Sequence, residues 1–171
     1  LSGLRDRLYA LEGAKLLYAD VITASGGLQS ELMINRGEND KLALGQFVLG
    51  DNSIVGTISS LSPRTAQVRL VTDSTSKIPV RIAELNIDRI MQGTGRNSAE
   101  IQLLPIKHKV KIGVLVYARK KPGFLDTPMI IGKVVQCKRD DDNPSLWDIT
   151  VEPVCNIERL DSVAVIIMNP Q

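Results

Sequence analysis

Residues 32–73 read LMINRGENDKLALGQFVLGDNSIVGTISSLSPRTAQVRLVTD, and this stretch decides the fold. Apolar runs of about five residues, rich in Val, Ile, Leu, Thr and Phe, alternate with turn-forming clusters such as Gly50-Asp51-Asn52-Ser53. This pattern predicts strands joined by tight connections. No segment of the stretch has the length and apolar spacing of an amphipathic helix, so we expect a β-rich protein.

The pattern recurs in the second half of the chain, where three short segments each have a counterpart. The matched pairs are 44–48 (LGQFV) with 112–116 (IGVLV), 55–58 (VGTI) with 131–134 (IGKV), and 67–70 (QVRL) with 148–151 (DITV). Gly45, Gly56, Gly113 and Gly132 hold equivalent places, and we interpret them as structural glycines that permit bends or close backbone approach. The two copies predict two related small β-units, which are best interpreted as two barrels.

Three strands in each copy cannot close a small barrel alone. We therefore predict a crossover, in which residues 19–64 together with 137–171 form the first barrel and residues 65–136 form the second. A plain division near residues 73–76 is the alternative. A ladder between residues 163–167 and a strand within 47–58, or next to it, would support the crossover.

The composition is that of a globular chain. Its 171 residues suit one large domain or two small ones, and 43% are hydrophobic. A formal charge of +2 and an aromatic content of 4% argue against a nucleic-acid partner, because single strands are bound by stacking on aromatic rings. No apolar run reaches the ~18–20 residues of a membrane span. Because the sequence begins at Leu1 rather than Met, we expect a fragment of a longer protein. A targeting signal or a membrane anchor would lie in the part that precedes it.

Residues 1–18 show the spacing of a helix. Apolar positions alternate at intervals of three and four residues, as in the seam of a coiled coil. This seam consists of Leu1, Leu4, Leu8, Leu11 and Tyr18. Lys15 interrupts it, because it places a charged side chain at a position that is normally apolar. We predict the end of a dimerising coiled coil, and a lone amphipathic helix packed on the β-units is the alternative.

No constellation of residues predicts catalysis. His108 is the only histidine, and it has neither an orienting carboxylate nor a serine in a nucleophile turn near it in the sequence. The glycine-rich segment 93–98 opens no helix and is interpreted as a hairpin connection, and the acidic run 140–143 as a solvated turn. Cys137 and Cys155 are too few for a zinc site, and whether they pair stays open. We predict no enzyme activity, no cofactor and no metal.

Charge is uneven in the second half of the chain. Basic residues dominate between residues 103 and 139, and acidic residues dominate after Asp140. The candidates for a basic partner surface are Lys107, Lys109, Lys111, Arg119, Lys120 and Lys121. The alternative is an ordinary solvated surface with interleaved charges.

Short motifs along most of the chain are similar to those of a known family. They are INRG (34–37), LGQFV (44–48), IVGTI (54–58), VRLVTD (68–73), IPVR (78–81), LLP (103–105), VKIG (110–113), IGKV (131–134), VEP (151–153) and LDSV (160–163). In order and spacing they resemble the extracytoplasmic part of the MreC family of bacterial rod-shape-determining proteins, over about residues 18–168. The loop at 121–128 departs from the family's Gly-Pro-rich pattern, so no partner contact is carried over for it.

The resemblance implies a mainly β fold of two small barrels, arranged as in serine proteases but without their catalytic residues, after a short helix at the end of a coiled coil. It implies a scaffold of the cell-wall elongation machinery that maintains rod shape. The implied location is the outer side of the bacterial cytoplasmic membrane, with a single membrane helix before this fragment. Its implied partners are further copies of itself, MreD, the actin-like MreB, a RodA-type glycosyltransferase and a class B penicillin-binding protein.

Two other functions remain as alternatives. One is a cryptic serine-protease-like hydrolase on the same barrels, for which a His108 substitution is the discriminating test. The other is a binding module for anionic polymers or lipid headgroups, which would lose affinity steeply with added salt.

Overall fold

The computed structural model describes residues 14–24 and 31–168. Within these residues the chain forms twelve strands and two short 3-10 turns, at Glu38–Asp40 and Ile157–Arg159. The strands are β1 (Ala14–Ala24), β2 (Glu31–Ile34), β3 (Phe47–Gly50), β4 (Ser53–Leu61), β5 (Ala66–Leu70), β6 (Lys77–Ile82), β7 (Ile87–Gly93), β8 (Ala99–Pro105), β9 (Leu115–Ala118), β10 (Met129–Arg139), β11 (Leu146–Pro153) and β12 (Ser162–Met168).

All strand pairs in the described part of the chain are antiparallel, and they close into two barrels. The first barrel has the order β1-β12-β3-β4-β5-β2, and the second has the order β10-β11-β8-β7-β6-β9. Closure leaves no unpaired sheet edge in either barrel, which removes the usual template for aggregation. The prediction of a mainly β fold with two small barrels is confirmed.

The predicted N-terminal helix is wrong where the structure describes the chain. Residues 14–18 belong to β1, which pairs with β12 from Ala14↔Met168 to Asp20↔Ser162. The pairing with β12 outweighs the helical spacing of the apolar residues, because tertiary contacts override a weak local preference. Of the predicted seam, Tyr18 therefore lies on a strand and is 50% exposed, whereas Leu1, Leu4, Leu8 and Leu11 lie outside the described residues.

The barrel boundaries differ from the predicted ones at two places. The first barrel includes β5, which the prediction assigned to the second, and the second barrel includes all of β10 and β11. The chain leaves the first barrel at Leu70 and enters the second at Lys77, near the alternative division at 73–76. It then crosses back, since β12 pairs with β3 through Ala164↔Leu49 and Val165↔Val48. The boundary error arose because strands of the two copies look alike locally, while closure depends on pairs distant in sequence.

The crossover follows from the duplication. The second barrel uses consecutive strands, β6 to β11, whereas the first uses β1 to β5 and then β12. In the second barrel β6 lies between β7 and β9. In the first barrel β12 lies between β1 and β3. β12 therefore takes the place in the first barrel that β6 takes in the second, so the last described strand of the chain completes the earlier copy.

The strands that follow the first duplicated glycines begin in the same way. Gly45 precedes β3 with a φ of +88°, and Gly113 precedes β9 with a φ of +95°. The Gly45 amide donates to the Ile58 carbonyl at 2.9 Å, and the Gly113 amide donates to the Val134 carbonyl at 2.7 Å. Both glycines thus occupy a left-handed conformation that side-chain-bearing residues adopt at a cost.

The second pair of glycines lies inside β4 and β10. A Cβ placed on Gly56 would lie 2.3 Å from the Arg69 carbonyl oxygen, and one on Gly132 would lie 2.3 Å from the Glu152 carbonyl oxygen. The neighbouring strand therefore approaches too closely for any side chain. Because both copies show the same distance to an equivalent strand, the glycines set the same local curvature in each barrel.

One continuous apolar cluster joins the two barrels. It contains the interior of the second barrel and side chains from four strands of the first. The contributions of the first barrel include Leu16, Phe47, Leu49, Ile54, Ala164 and Ile166. Their neighbours Val48, Val55 and Val165 belong to the cluster that fills the first barrel. Strands β3 and β12 are therefore buried on both faces, which explains their unbroken apolar sequences FVLG and VAVII.

We expect Gly132→Ala to destabilise the protein more than Gly113→Ala. The first substitution forces a Cβ into a backbone carbonyl, which costs about 2–3 kcal/mol. A Cβ on Gly113 meets no atom within 4 Å, so only the positive φ is penalised, by about 1 kcal/mol. Urea unfolding followed by circular dichroism measures both losses. Equal losses, or a larger loss for Gly113→Ala, would show that strand approach does not constrain β10.

Candidate interaction surface

The contact between the barrels includes a loop of the second barrel that packs on the first. A Cβ placed on Gly45 would lie 3.0 Å from Cε1 of Phe124, so the ring covers the glycine closely. The Lys121 ammonium lies 4.7 Å from the centre of the same ring, within cation–π range. The loop that departs from the family pattern in sequence, at 121–128, thus contributes to inter-barrel packing through Phe124.

The two cysteines are free and lie apart in the fold. Cys137 is half-buried on β10 and pairs in register with Ile149, whereas Cys155 is buried in the link that follows β11. Burial raises the pKa of the Cys155 thiol to about 12, and the neighbouring Asp51 carboxylate, 3.6 Å from Sγ, acts in the same direction. Burial also raises the pKa of Cys137. Both thiols are therefore protonated and weakly nucleophilic near neutral pH.

Cys155 also lines a cleft of about 580 Å³ between the barrels. Links 71–76 and 154–161 and the hairpin tip at 95–97 contribute to its walls, with Arg96 and Glu152 among the lining residues. Among the described residues, no three His, Cys, Asp or Glu side chains lie together as metal ligands would. The cleft is therefore lined by charged and polar groups together with the Cys155 thiol.

Native protein at about pH 8 should resist alkylation at Cys155, because only the thiolate reacts and the raised pKa keeps its population low. Iodoacetamide labelling followed by mass spectrometry measures this, with the urea-unfolded chain as the control in which both cysteines react. Since the folded pKa lies above the ordinary 9.0, the thiol's contribution to stability should also fall as pH rises from about 9 toward 12. Rapid labelling of native Cys155 would contradict this placement.

His108 lies half-buried in the loop between β8 and β9. The Trp147 indole Nε1 donates to its backbone carbonyl at 2.8 Å, which anchors the loop on β11. The described hydrogen bond between this loop and β11 therefore involves the His108 backbone carbonyl.

The six basic residues proposed as one partner surface lie at two ends of a strand. Lys107, Lys109 and Lys111 are exposed before β9, and Arg119, Lys120 and Lys121 are exposed after it. The loop that carries the first three meets the connection between β10 and β11, since the Ile106 amide donates to the Ser145 carbonyl at 3.0 Å. Nη2 of Arg119 pairs with Oδ2 of Asp88 at 3.2 Å. The two groups of three are separated along the chain by β9, and a shared basic surface stays a prediction.

A surface that sequence reasoning missed is the outer side of β6, β7 and β8, which we call the β6–β8 face. Buried Ile78, Val80 and Ile82 alternate with its β6 residues. Its members are Lys77, Pro79 and Arg81 of β6, Asp88, Ile90 and Gln92 of β7, and Glu100, Gln102 and Leu103 of β8. Most of them line an open groove of about 710 Å³. One feature of the sequence could have indicated this face: Ile90 is an apolar residue at an outward-facing position of β7, where buried and exposed residues alternate.

Apolar side chains form the middle of this face. Pro79 pairs in register with Ile90, which is 53% exposed, and Leu103 is 70% exposed on the next strand. Charged pairs border the middle on one side, where Nε of Arg81 lies 2.9 Å from Oδ1 of Asp88. The Arg81 guanidinium hydrogen-bonds to Asp88 and holds the pKa of that carboxyl below its ordinary value. An apolar centre with a polar rim is the anatomy of a protein interface.

Leu103 is held in a conformation that leucine seldom adopts. Its φ is +67°, at a bulge where Gln102 and Leu103 together face the single residue Asp148 of β11. Nε of Arg89 donates to the Leu103 carbonyl at 3.2 Å, fixing the bulge. A left-handed residue with a Cβ costs about 1–2 kcal/mol. The chain thus maintains a strained backbone that presents an apolar side chain to solvent, and such strain concentrates at functional sites.

The two fused barrels define an all-β protein of the double-barrel class, with one exposed face that has an apolar centre. A family model described as "Rod shape-determining protein MreC, barrel core" matches residues 21–167, and the chain belongs to this MreC family. Among the described residues, no helix is long and apolar enough to cross a membrane.

Curated relatives carry the name "Cell shape-determining protein MreC". That of Haemophilus influenzae is 30% identical over 146 residues, covering 83% of this chain and 41% of the relative. That of Escherichia coli is 21% identical over 147 residues, covering 85% of this chain and 40% of the relative. The chain therefore spans about two-fifths of the length of these relatives.

Solved structures share the two-barrel fold. A structure named MreC has a TM-score of 0.84 at 26% identity, covering 96% of this chain and 95% of the other. MreC from Pseudomonas aeruginosa has a TM-score of 0.79 at 25% identity, covering 88% and 98%. A complex between penicillin-binding protein PBP2 and MreC from Helicobacter pylori matches at 12% identity with a TM-score of 0.67, covering 91% and 100%, and this likeness shows the fold alone.

Proposed function

We propose that this chain is a non-enzymatic scaffold of the bacterial cell-wall elongation machinery, which maintains rod shape by binding wall-synthesis proteins. The observation that carries the proposal is the β6–β8 face, where a strained Leu103 and exposed Ile90 form an apolar centre on a barrel of this family. A surface maintained against strain and without catalytic groups is suited to recognition rather than reaction.

The proposed partners include a class B penicillin-binding protein. The family relative from Helicobacter pylori has been solved in a complex with PBP2, which supports this choice. MreD, MreB and a RodA-type glycosyltransferase complete the proposed assembly, together with further copies of this chain. We place the barrels on the outer side of the cytoplasmic membrane, held there by a membrane helix that precedes them in the whole protein. Several weak contacts on one scaffold raise the local concentration of each partner for the others.

Neither alternative function has comparable support. A hydrolase needs a base held by hydrogen bonds beside a nucleophile, and the described contacts of His108 fix its backbone carbonyl instead. An anionic polymer needs a continuous basic surface, and the proposed lysines are divided between two ends of β9.

A pull-down with the detergent-solubilised class B penicillin-binding protein of the same bacterium tests the scaffold function. We expect the chain to retain the enzyme, and we expect retention to survive added salt, because apolar contacts are insensitive to screening. Retention that disappears with salt, together with binding of anionic polymers, would favour the polymer-binding alternative. No retention at either salt concentration would contradict the proposed partner.

The same proposal predicts a cell-shape result. The full-length protein carrying His108→Ala should restore rod shape in cells depleted of the native copy, as the unmodified protein does, because a scaffold has no need of this imidazole. Round cells with a normally folded and normally abundant His108→Ala protein would favour the hydrolase.

A further inference from the structure

We propose that the cleft between the barrels binds a short peptide that has free ends and a side-chain amine. The carboxylate of the peptide pairs with Arg96, and its two amines pair with Glu152 and Glu158. This site goes beyond the scaffold function proposed above, and none of the residues that line it lines the groove on the β6–β8 face. Three features of the cleft support it: its position in the fold, its fixed walls and its unpaired charges.

The cleft lies where the chain crosses between the barrels. Leu70 and Thr72 line it where the chain leaves the first barrel, and Pro153 and residues 155–158 line it where the chain returns. The tip of the β7–β8 hairpin at residues 95–97 adds a further wall. Clefts between packed units are common ligand sites, and a volume of about 580 Å³ is within the range of small-ligand pockets. The cleft is therefore large enough for a short peptide.

One wall is fixed because the hairpin tip packs on the link that leaves the first barrel. The Gly95 amide donates to the Thr72 carbonyl at 2.8 Å, and the Gly93 amide donates to the Ser76 carbonyl at 3.1 Å. A Cβ placed on Gly93 would overlap the Asp73 carbonyl oxygen, so hairpin and link are in close contact. These contacts hold the hairpin tip, with its charged and amide side chains, at the cleft.

The opposite wall is fixed because the returning link packs on the turn between β3 and β4. The Cys155 thiol donates to Oδ2 of Asp51 at 3.6 Å, and a Cβ placed on Gly50 would lie 2.7 Å from Cδ1 of Leu160. Asp51 does not line the cleft, but its carboxylate adds to the negative charge of this wall. A site whose walls are already in place loses less conformational freedom when a ligand binds.

The charged residues that line the cleft are one cation and two anions. They are Arg96, Glu152 and Glu158, and none of them belongs to an ion pair among the described residues. Lys133 is opposite Glu152 in the β10–β11 ladder without an ion pair to it, and Arg159 follows Glu158 outside the lining. Unpaired charges of both signs favour a ligand that carries both, and two amines with one carboxylate match them in number.

Polar groups without charge suit the backbone of a peptide. Thr72 is only 3% exposed, and none of the hydrogen bonds among the described residues involves its hydroxyl. The exposed amides of Asn97 and Asn156 supply both donors and acceptors. A phosphate-bearing ligand is disfavoured, because two carboxylates oppose the single guanidinium of the cleft. The chemistry of the lining therefore favours a peptide over a polyanion.

Titration of the isotope-labelled 171-residue chain with the tripeptide alanyl-lysyl-alanine tests the proposal, with amide chemical shifts as the measurement. We expect saturable shifts at residues 95–97 and 155–158. Amidation of the tripeptide removes its carboxylate, and N-acetylation removes one of its amines. Each change should weaken binding by about threefold or more, because each removes one charge pair.

Arg96→Gln separates the carboxylate contact from the others. The variant should bind the free tripeptide about threefold or more weakly, and it should bind the amidated tripeptide as the unmodified chain does, because that contact is already absent. Arg64→Gln is the matched control, since Arg64 is exposed in the turn between β4 and β5 and does not line the cleft. Neither arginine belongs to an ion pair among the described residues, so both variants should keep the thermal midpoint of the unmodified chain.

Three results would overturn the proposal. They are the absence of saturable shifts at the cleft, equal weakening by Arg64→Gln and Arg96→Gln, and undiminished binding of a tripeptide with both ends blocked. The last result would assign the cleft to an internal segment of a protein instead of a free peptide. None of these results bears on the scaffold function, because the pull-down with the penicillin-binding protein tests that function separately.

Discussion

Closure of the first barrel by β12 is the constraint on which the rest of the structure depends. Without β12 the first barrel has open edges at β1 and β3, and their backbone groups would lack partners. The second barrel therefore lies within the sequence of the first, between β5 and β12. Because β12 holds the place that β6 holds in the second barrel, the duplicated unit is closed in both copies by a strand of the same geometry.

This closure also joins the barrels. Strand β12 contributes Val165 to the interior of the first barrel and Ile166 to the cluster shared with the second. Strand β3 does the same with Val48 and Leu49. Alternate residues of each strand thus point into two different cores. A one-residue change in the pairing register of either strand would remove its apolar side chains from both cores. The two barrels form one packed unit, because β3 and β12 of the first barrel also supply the surface on which the second barrel packs.

The sequence was sufficient for the fold class and insufficient for the surface. Turn clusters and duplicated glycines predicted two small barrels, because these signals are local. The crossover was predicted because three strands in each copy are too few to close a barrel. The helix at 14–18 was wrong, since a three-and-four spacing of Leu residues cannot reveal pairing with a strand near the other end of the chain. The β6–β8 face was missed because Leu103 is exposed by a bulge and a positive φ. The residue types in this segment predict neither of these backbone features. The two groups of basic residues lie before and after β9 in the chain, and whether they share one surface stays a prediction.

Because one apolar cluster joins the two barrels, we expect both barrels to be equally rigid. Native-state hydrogen exchange measures this most directly, by giving an opening free energy for each backbone amide. If β12 closes one barrel and the shared core binds the other, the slowest amides of β3, β4, β10 and β12 should exchange through one common opening with the same free energy. Exchange of the β3 and β12 amides at a distinctly lower free energy, with β10 still protected, would contradict the claim that closure by β12 unites the molecule.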